Sequence, residues 1–465
     1  MRQSKTEEIY RSKRESSGFI YKILRAFTII HPGEAPTAFL LIINIFLLLV
    51  AYYIIKPVRE ALILAGKGAE WKSYLSAAIA VLLIFVVKAF SSIASRFPRQ
   101  KLISWVTLFF ISNLIIFYLL SFSRISLGTM GILFYTWMGI FNVMVVAQFW
   151  GFANDIYSEE AVKRLFPLVA FGATFGAFSG STIASWLVEP LGLYQMMLVA
   201  GGVLGICILL TLIIHHKEVK RSGERRDETG STEVSKEKEQ EKPLEKGGGF
   251  ELVFKKRYLL YIAFFVLLLN FVNTNGEYIL GKIVENAAKE AVAAGTAGGL
   301  GVKELIGKFM AGFMRDFNLV SMFIQLFIVS RVFKWFGVRL ALFFLPVIAI
   351  GGYFTLALGA SLMLVRWVKV MENGTDYSLM NTTRHALFLI TTRKEKYKAK
   401  AATDTFFHRA GDVLSAVIVF LGTGYLAFNT EKFAIFNVAL ILIWIALGVL
   451  IFREHKRISC EREAL

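Results

Sequence analysis

Apolar residues arrive in this chain as blocks about 20 residues long, separated by short charged stretches. A helix of that length covers a hydrocarbon core of roughly 30 Å. Such a core holds no water to bond the backbone, so the blocks must form helices that satisfy their own N–H and C=O groups. Strands of an outer-membrane barrel would alternate in polarity instead of running apolar, which excludes that architecture. Charged residues make up only 18% and mean hydropathy is +0.58, whereas a soluble domain carries about 25% charge. The expected fold class is an all-α polytopic membrane protein.

Twelve spans are expected, near 38–56, 74–93, 102–122, 129–152, 165–188, 193–214, 258–281, 317–334, 339–359, 362–389, 404–428 and 432–452. The tenth carries Arg366, Lys369, Glu372 and Asp376 and is polar for a span. The stretch 217–257 has 12 basic and 10 acidic residues and ends near a Gly triplet, which reads as a flexible linker without an apolar face. The organisation is then a tail 1–37, a six-helix half 38–216, the linker 217–257, a six-helix half 258–452 with a long outer loop at 283–316, and a tail 453–465. Within 283–316 a Gly-rich turn precedes an amphipathic piece from Lys303 to Phe313, read as an interfacial helix.

The net charge of +18 would point to nucleic acid in a soluble protein. Here it fits the Lys/Arg excess of cytoplasmic loops, such as the short stretches 95–101 and 331–339, and places both termini in the cytoplasm. Lipid, and no nucleic acid, is the expected macromolecular surrounding. The first 37 residues contain no leading apolar run, so no cleavable signal peptide is expected. Cys207 and Cys460 imply no disulfide framework.

The halves carry matching fragments. Arg59-Glu60-Ala61-Leu62-Ile63-Leu64 parallels Gly276-Glu277-Tyr278-Ile279-Leu280, and Ser95-Arg96-Phe97 parallels Ser330-Arg331-Val332-Phe333. With six spans on each side, this favours parallel repeats related about the membrane normal, a major-facilitator-like arrangement.

Ionisable groups at membrane depth cost about 2.5–3.5 kcal/mol each and need a reason. Lys56, Arg59 and Glu60 share one helical face beside Pro57. They either line a cavity or sit at the span's end with the cations reaching the headgroups. Asn270, Asn273, Asn275 and Glu277 of the seventh span are interhelical glue or the wall of a wet cavity. Arg366, Lys369, Glu372 and Asp376 form one stripe, which lines a pathway or closes as a salt-bridge ladder. Asn154, Asp155, Lys163 and Arg164 of the first half match Asp404, Arg409 and Asp412 of the second, either a gate or a structural ion network. Gly172, Gly176, Gly180 and Ala184 have the spacing of a close helix contact. The histidines lack metal-ligand spacing and no nucleophile–base set is present, so no metal, no cofactor and no enzymatic activity are expected.

Several stretches resemble the nucleotide transporter family, which includes the ATP/ADP translocases of intracellular bacteria and plastids. They are Lys56-Pro57-Val58-Arg59-Glu60, Phe149-Trp150-Gly151-Phe152-Ala153-Asn154-Asp155, Lys163-Arg164-Leu165-Phe166-Pro167, Gln325 to Arg331, Glu372-Asn373-Gly374-Thr375-Asp376 and Lys396 to Asp404. Relative to the translocases, Pro57 replaces an Asp of the first-span pattern, and Leu280-Gly281 precede Lys282 where those proteins carry a Trp-Lys pair. The resemblance is to a divergent member. It implies a major-facilitator fold and exchange of nucleotides by alternating access in the cytoplasmic membrane, by a monomer. Under that reading Lys56, Arg59, Arg366 and Lys369 neutralise phosphates. Asn270, Asn273 and Asn275 bond ribose or base, Glu60 and Glu277 orient the cations or exchange protons, and Glu372 and Asp376 complete the substrate site. The residues at the cytoplasmic ends form the gate. Two alternatives stay open: a proton-coupled carrier of another organic anion, and a non-transporting membrane scaffold or sensor.

Overall fold

The computed structural model describes residues 28–228 and 248–463, apart from 32, 33, 95, 98, 158, 393 and 394. Every element among them is helical. In chain order these are α1 (Ala35–Gly66), α2 (Ala69–Ala94), α3 (Arg99–Leu120), α4 (Leu127–Ile156), α5 (Glu159–Leu191) and α6 (Leu193–Glu228). After the short α7 (Gly249–Lys255) come α8 (Arg257–Ala293), α9 (Val302–Phe323), α10 (Val329–Ala341), α11 (Phe344–Ala357), α12 (Leu362–Thr375), α13 (Asn381–Leu387), α14 (His408–Gly424) and α15 (Thr430–Glu463). Turns of π-helix join α9 to α10 (Ile324–Ile328) and α12 to α13 (Asp376–Met380), and two more (Glu395–Ala399, Thr403–Phe407) precede α14.

Among the described residues, ten helical runs are long and apolar enough to cross a membrane, and Phe344–Ala357 is a shorter apolar helix. The twelve expected spans are therefore not all recovered by length and apolarity. Two are missing: the ninth, where Phe344–Ala357 is too short, and the tenth, the polar stripe, where α12, a π turn and α13 follow one another with Arg366, Lys369, Glu372 and Asp376. The expected outer loop at 283–316 is largely helix instead. α8 continues to Ala293 and α9 begins at Val302, leaving only 294–301 as a turn. Alternating Lys and Glu in 282–290 support a solvated helix end, while Ile306, Met310, Phe313 and Met314 of α9 are buried. The amphipathic piece thus opens a packed helix and is not a separate interfacial one. The start of the expected linker continues α6 to Glu228, α7 occupies 249–255, and 229–247 lie outside the described residues.

Glycine sets the tight joints. Gly68 (φ +94°) joins α1 to α2, Gly192 (φ +81°) joins α5 to α6, and Gly337 (φ +71°) breaks α10. Only glycine takes this left-handed backbone without strain.

The chain forms two compact units, residues 1–56, 87–124 and 139–241, and residues 57–86, 125–138 and 242–465. Helix α1 divides between them at Lys56/Pro57, where proline has no N–H for the Tyr53 carbonyl four residues back. In the first unit α5 lies directly on α1. A Cβ on Gly176 would sit 2.4 Å from the Phe46 carbonyl oxygen, and one on Gly180 would sit 2.6 Å from that of Val50. Helices in lipid gain little from hydrophobic burial against each other, so such close backbone packing supplies the attraction. Asn44 Nδ2 donates to Thr211 Oγ1 at 2.9 Å and ties α1 to α6.

In the second unit α8 is the central helix. The Phe265 ring lies 5.3 Å from Trp444 and that of Tyr278 4.9 Å from Phe433. A Cβ on Gly411 would meet the Leu267 carbonyl oxygen and the Phe271 nitrogen at 2.8 Å, so α14 also rests on bare backbone. Buried amides cross these contacts. Asn275 Nδ2 donates to Asn437 Oδ1, Asn437 Nδ2 to the Val272 carbonyl, and Ser415 Oγ to Asn275 Oδ1. Unmet amides in such surroundings cost several kcal/mol, so the ring of bonds fixes the register of α8, α14 and α15.

Gly176→Val should overpack the α1–α5 contact and destabilise the protein by about 1–3 kcal/mol, read as a lower midpoint of thermal unfolding in detergent. Gly202→Ala, where a Cβ meets nothing within 4 Å, should leave the midpoint unchanged or raise it.

Candidate functional site

The second unit gathers ionisable residues from five helices into one connected cluster. Glu60, on the part of α1 beyond Pro57, is 2% exposed. Its Oε1 is paired with the neighbouring Arg59 guanidinium, and its Oε2 lies 2.9 Å from Lys72 Nζ of α2. The same ammonium lies 3.3 Å from Glu277 Oε2 of α8. Glu277 Oε1 accepts from Asn373 Nδ2 at 3.0 Å and is 3.9 Å from Lys369 Nζ of α12. Lys369, 1% exposed, lies 3.0 Å from Glu372 Oε2, with Asn273 Oδ1 at 3.4 Å. Tyr353 of α11 donates to Glu372 Oε1 at 3.1 Å. Positive and negative groups alternate along the whole path, which is how charges are kept buried.

Local sequence makes room for this arrangement. On Gly276 a Cβ would fall 1.8 Å from the Tyr353 hydroxyl and 2.8 Å from Lys369 Nζ, so the glycine beside Glu277 admits both. The Arg59 guanidinium sits 4.6 Å from the centroid of the Tyr135 ring, and the Tyr135 hydroxyl shares a 2.9 Å hydrogen bond with Ser76. Cation and ring face thus attract while the phenol keeps a polar partner. Arg366 is held apart: its Nη2 is 2.5 Å from Asp316 Oδ2 of α9, against Gly312.

A second set of contacts binds the α1–α2 joint to α8. Glu285 Oε2 accepts from the Ala69 backbone N–H at 3.0 Å and so caps α2 from another helix. Gly68 leaves the space, because a Cβ there would be 3.2–3.3 Å from both Glu285 oxygens. Lys282 Nζ lies 2.8 Å from Glu70 Oε1, and Lys289 Nζ 2.5 Å from Glu285 Oε1.

The structure sorts the expected site residues. Arg59, Glu60, Asn273, Glu277, Lys369 and Glu372 meet in the cluster. Asp376 opens the π turn that follows it. Lys56 belongs to the first unit, its Nζ 4.9 Å from the Tyr53 ring centroid. Asn270 donates to Asp412 Oδ1 at 2.8 Å, beside Thr274 at 2.9 Å, and Asn275 lies in the amide ring described above. These two asparagines hold helices together.

Of the expected gate residues, Arg164, Asp404, Arg409 and Asp412 pair inside their own units. Arg164 grips Glu34 with two hydrogen bonds of 3.0 and 3.1 Å and also donates to the Ile29 carbonyl. Burial pushes the Glu34 carboxyl up, but Arg164 and the His31 N–H outweigh it and hold it below the ordinary carboxylate range. This tie is therefore complete at neutral pH and is lost as pH falls through the lowered folded value. In the second unit Arg409 lies 3.3 Å from Asp412 and Arg384 3.7 Å from Asp404. Asn154 and Asp155 are exposed, and the Lys163 side chain lies outside the described residues.

Sequence reading missed Lys72, Tyr353, Asp316 and Glu285. Lys72 falls just ahead of the expected second span at 74. No signal in the sequence pointed to it, because Lys56 and Arg59 already stand on the same helical face as Glu60.

Lys72→Met leaves two carboxylates short of their shared cation and should cost about 3–5 kcal/mol of stability. Lys282→Met breaks a pair at the partly solvated helix end and should cost about 1 kcal/mol or less. Parallel thermal unfolding of the two variants checks the contrast.

The sequence model of the TLC ATP/ADP transporter family matches residues 129–454, well over half of the chain. ADP,ATP carrier protein 1 of Chlamydia muridarum is 23% identical over 341 residues, which cover 65% of this chain and 61% of that carrier. The chain thus spans under two thirds of the length of such curated relatives. Among solved structures, the nucleoside transporter NupG superposes with a TM-score of 0.60 at 13% identity, covering 88% of this chain and 98% of that one. A bacterial homolog to the human lysosomal transporter Spinster gives 0.58 at 15% identity, covering 92% and 99%. These likenesses establish a major-facilitator fold. By the extent of the family match, the chain belongs to the TLC ATP/ADP transporter family.

Proposed function

We propose that this protein carries an anionic nucleotide across the cytoplasmic membrane by alternating access, exchanging one nucleotide for another, with both termini in the cytoplasm. The observation that carries the reading is the gathering of Arg59, Lys72 and Lys369 on three helices at one place. Phosphate oxygens arriving there would take over the places now filled by Glu60, Glu277 and Glu372. Arg59 is suited to bidentate contact, whereas Lys72 and Lys369 act as point charges. The names of the Chlamydia relatives, ADP,ATP carrier proteins, support nucleotide as the anion.

One observation favours a second reading. The polar stripe closes on itself by ion pairs, as a non-transporting scaffold or sensor of the same fold would also have it. The carrier reading is preferred because Lys72 and Lys369 each pair with a carboxylate of another helix, and each ammonium can pair with a phosphate instead.

Proteoliposomes of the purified protein loaded with unlabelled ADP should take up labelled ATP or ADP. Arg59→Ala and Lys369→Ala should each cut the initial rate about tenfold to hundredfold, matching the roughly 1.5–3 kcal/mol of a hydrogen bond to a charged group. Folded protein that moves no nucleotide removes the nucleotide assignment, and failure with other organic anions as well leaves the scaffold.

A further inference from the structure

We propose that the end of α10 and the end of α15 it touches form a binding site for the phosphate of an anionic phospholipid of the cytoplasmic leaflet, with Arg339 and Lys456 as its principal cations. The site lies outside the ion-pair cluster and does not depend on the nucleotide-carrier reading.

The sequence leaves this end of the second unit short of negative charge. No Asp or Glu occurs between Asp316 and Glu372, while Arg331, Lys334 and Arg339 fall in that interval. On α15, Glu454 and Glu461 are both taken by Arg457, at 2.9 and 3.6 Å. Among the described residues, Arg331, Lys334, Arg339, Arg453 and Lys456 therefore have no carboxylate within 4 Å.

Folding brings these surplus charges together. The chain turns at Gly337, and beyond the turn the Arg339 guanidinium lies over the Phe452 ring of α15, 5.6 Å from its centroid. Arg453 follows Phe452 directly, and Lys456 stands one turn further along the same face. Arg339 is also within electrostatic reach of His455, whose ring is set against Tyr258 of α8 with centroids 6.1 Å apart. An aromatic ring thus holds the guanidinium toward other basic groups. A bias of Lys and Arg to the cytoplasmic side explains why such residues stand at this end. It does not explain why two helices hold theirs against each other without acids, since like charges so placed repel until an anion lies between them.

The surroundings select a lipid headgroup as that anion. Trp335, 69% exposed, follows Lys334 and stands four residues after Arg331, and Phe336 and Leu340 are exposed beside it. Exposed Trp among cations is the composition of the headgroup level of a bilayer. An amphiphile satisfies both parts of the patch, its phosphate meeting the cations and its chains the apolar side chains. Anionic lipids give the cytoplasmic leaflet its negative potential, and each Lys or Arg close to it strengthens binding about fivefold.

The test uses the purified full chain in detergent micelles containing phosphatidylglycerol or phosphatidylcholine. Native mass spectrometry reads the lipid retained, and thermal unfolding reads its effect on the midpoint. Phosphatidylglycerol should be retained about fivefold or more over phosphatidylcholine and should raise the midpoint. Arg339→Gln and Lys456→Gln should each weaken that retention about fivefold, and Arg339→Lys should keep most of it. Lys101→Gln and Lys217→Gln remove the same charge from exposed positions of the other unit and should leave retention unchanged. Equal retention of the two lipids overturns the proposal. So does a loss of equal size in the Lys101 and Lys217 variants, which reduces the effect to net charge. Displacement of the lipid by an equal concentration of glycerol phosphate overturns the lipid assignment in favour of a soluble anion. Should Arg339→Gln lower the midpoint without any lipid, Lys456→Gln decides alone, because Lys456 is exposed.

Discussion

A lysine ammonium shared by two buried carboxylates is the constraint from which the rest of this site follows. Lys72 reaches Glu60 on α1 and Glu277 on α8, and none of these groups is stable at that depth alone. Glu277 must stand close enough to be shared with Lys369, which requires a residue without a side chain at Gly276. Lys72 must begin α2 rather than trail into a loop, which requires the tight Gly68 joint and the cap that Glu285 gives Ala69. Each requirement is met by the residue at the position where it arises. Such agreement between local and long-range needs marks a sequence that specifies its structure.

Two kinds of polar contact hold the second unit together, and they differ in what they allow. Asn275, Asn437 and Ser415 bond one another and a backbone carbonyl, with Gly411 set against bare α8 backbone. Neutral amides packed at such short range have no alternative partner to exchange with, so α8, α14 and α15 behave as one body. The ion pairs of Lys72 and Lys369 are of the other kind. A phosphate oxygen presents to an ammonium much the same charge and geometry as a carboxylate oxygen. Under the proposed carrier function, these are the contacts that a phosphate replaces.

Fold class was legible because it depends on a coarse property, apolar runs of spanning length. Glu60, Glu277, Lys369 and Glu372 were legible for a related reason: ionisable groups in apolar surroundings stand out. What could not be read was which helix supplies each partner. Lys72 lies at a helix start, where a charged residue is unremarkable, and Tyr353 and Asp316 are identified only by the packing that brings α11 and α9 to α12. The asparagines of α8 show the same limit from the other side. Asn273 and Asn275 are two residues apart and so face different ways, one toward Lys369 and one into the amide ring. Sequence density alone treated them as one group. The residues 283–316 were read as an outer loop around a Gly-rich turn, but the turn is confined to 294–301, and the Lys and Glu of 282–290 support the helix before it.

The split between Arg366 and Lys369 shows how far the stripe on α12 can be treated as one surface. The two cations are three residues apart and share a helical face, yet Arg366 turns to Asp316 of α9 and Lys369 to the carboxylates of α8 and α12. Glycines mark both choices, Gly312 beneath the guanidinium and Gly276 beneath the ammonium. A polar stripe in a membrane helix is therefore not by itself a pathway. It becomes a site only where neighbouring helices withdraw their side chains to let the charges converge. Of the two places where that happens, only the one at Gly276 joins more than one carboxylate to more than one cation. At the other place a single carboxylate, Asp316, lies between Arg315 and Arg366. That difference is why the proposed carrier function is placed on the Glu60–Lys72–Glu277–Lys369–Glu372 path.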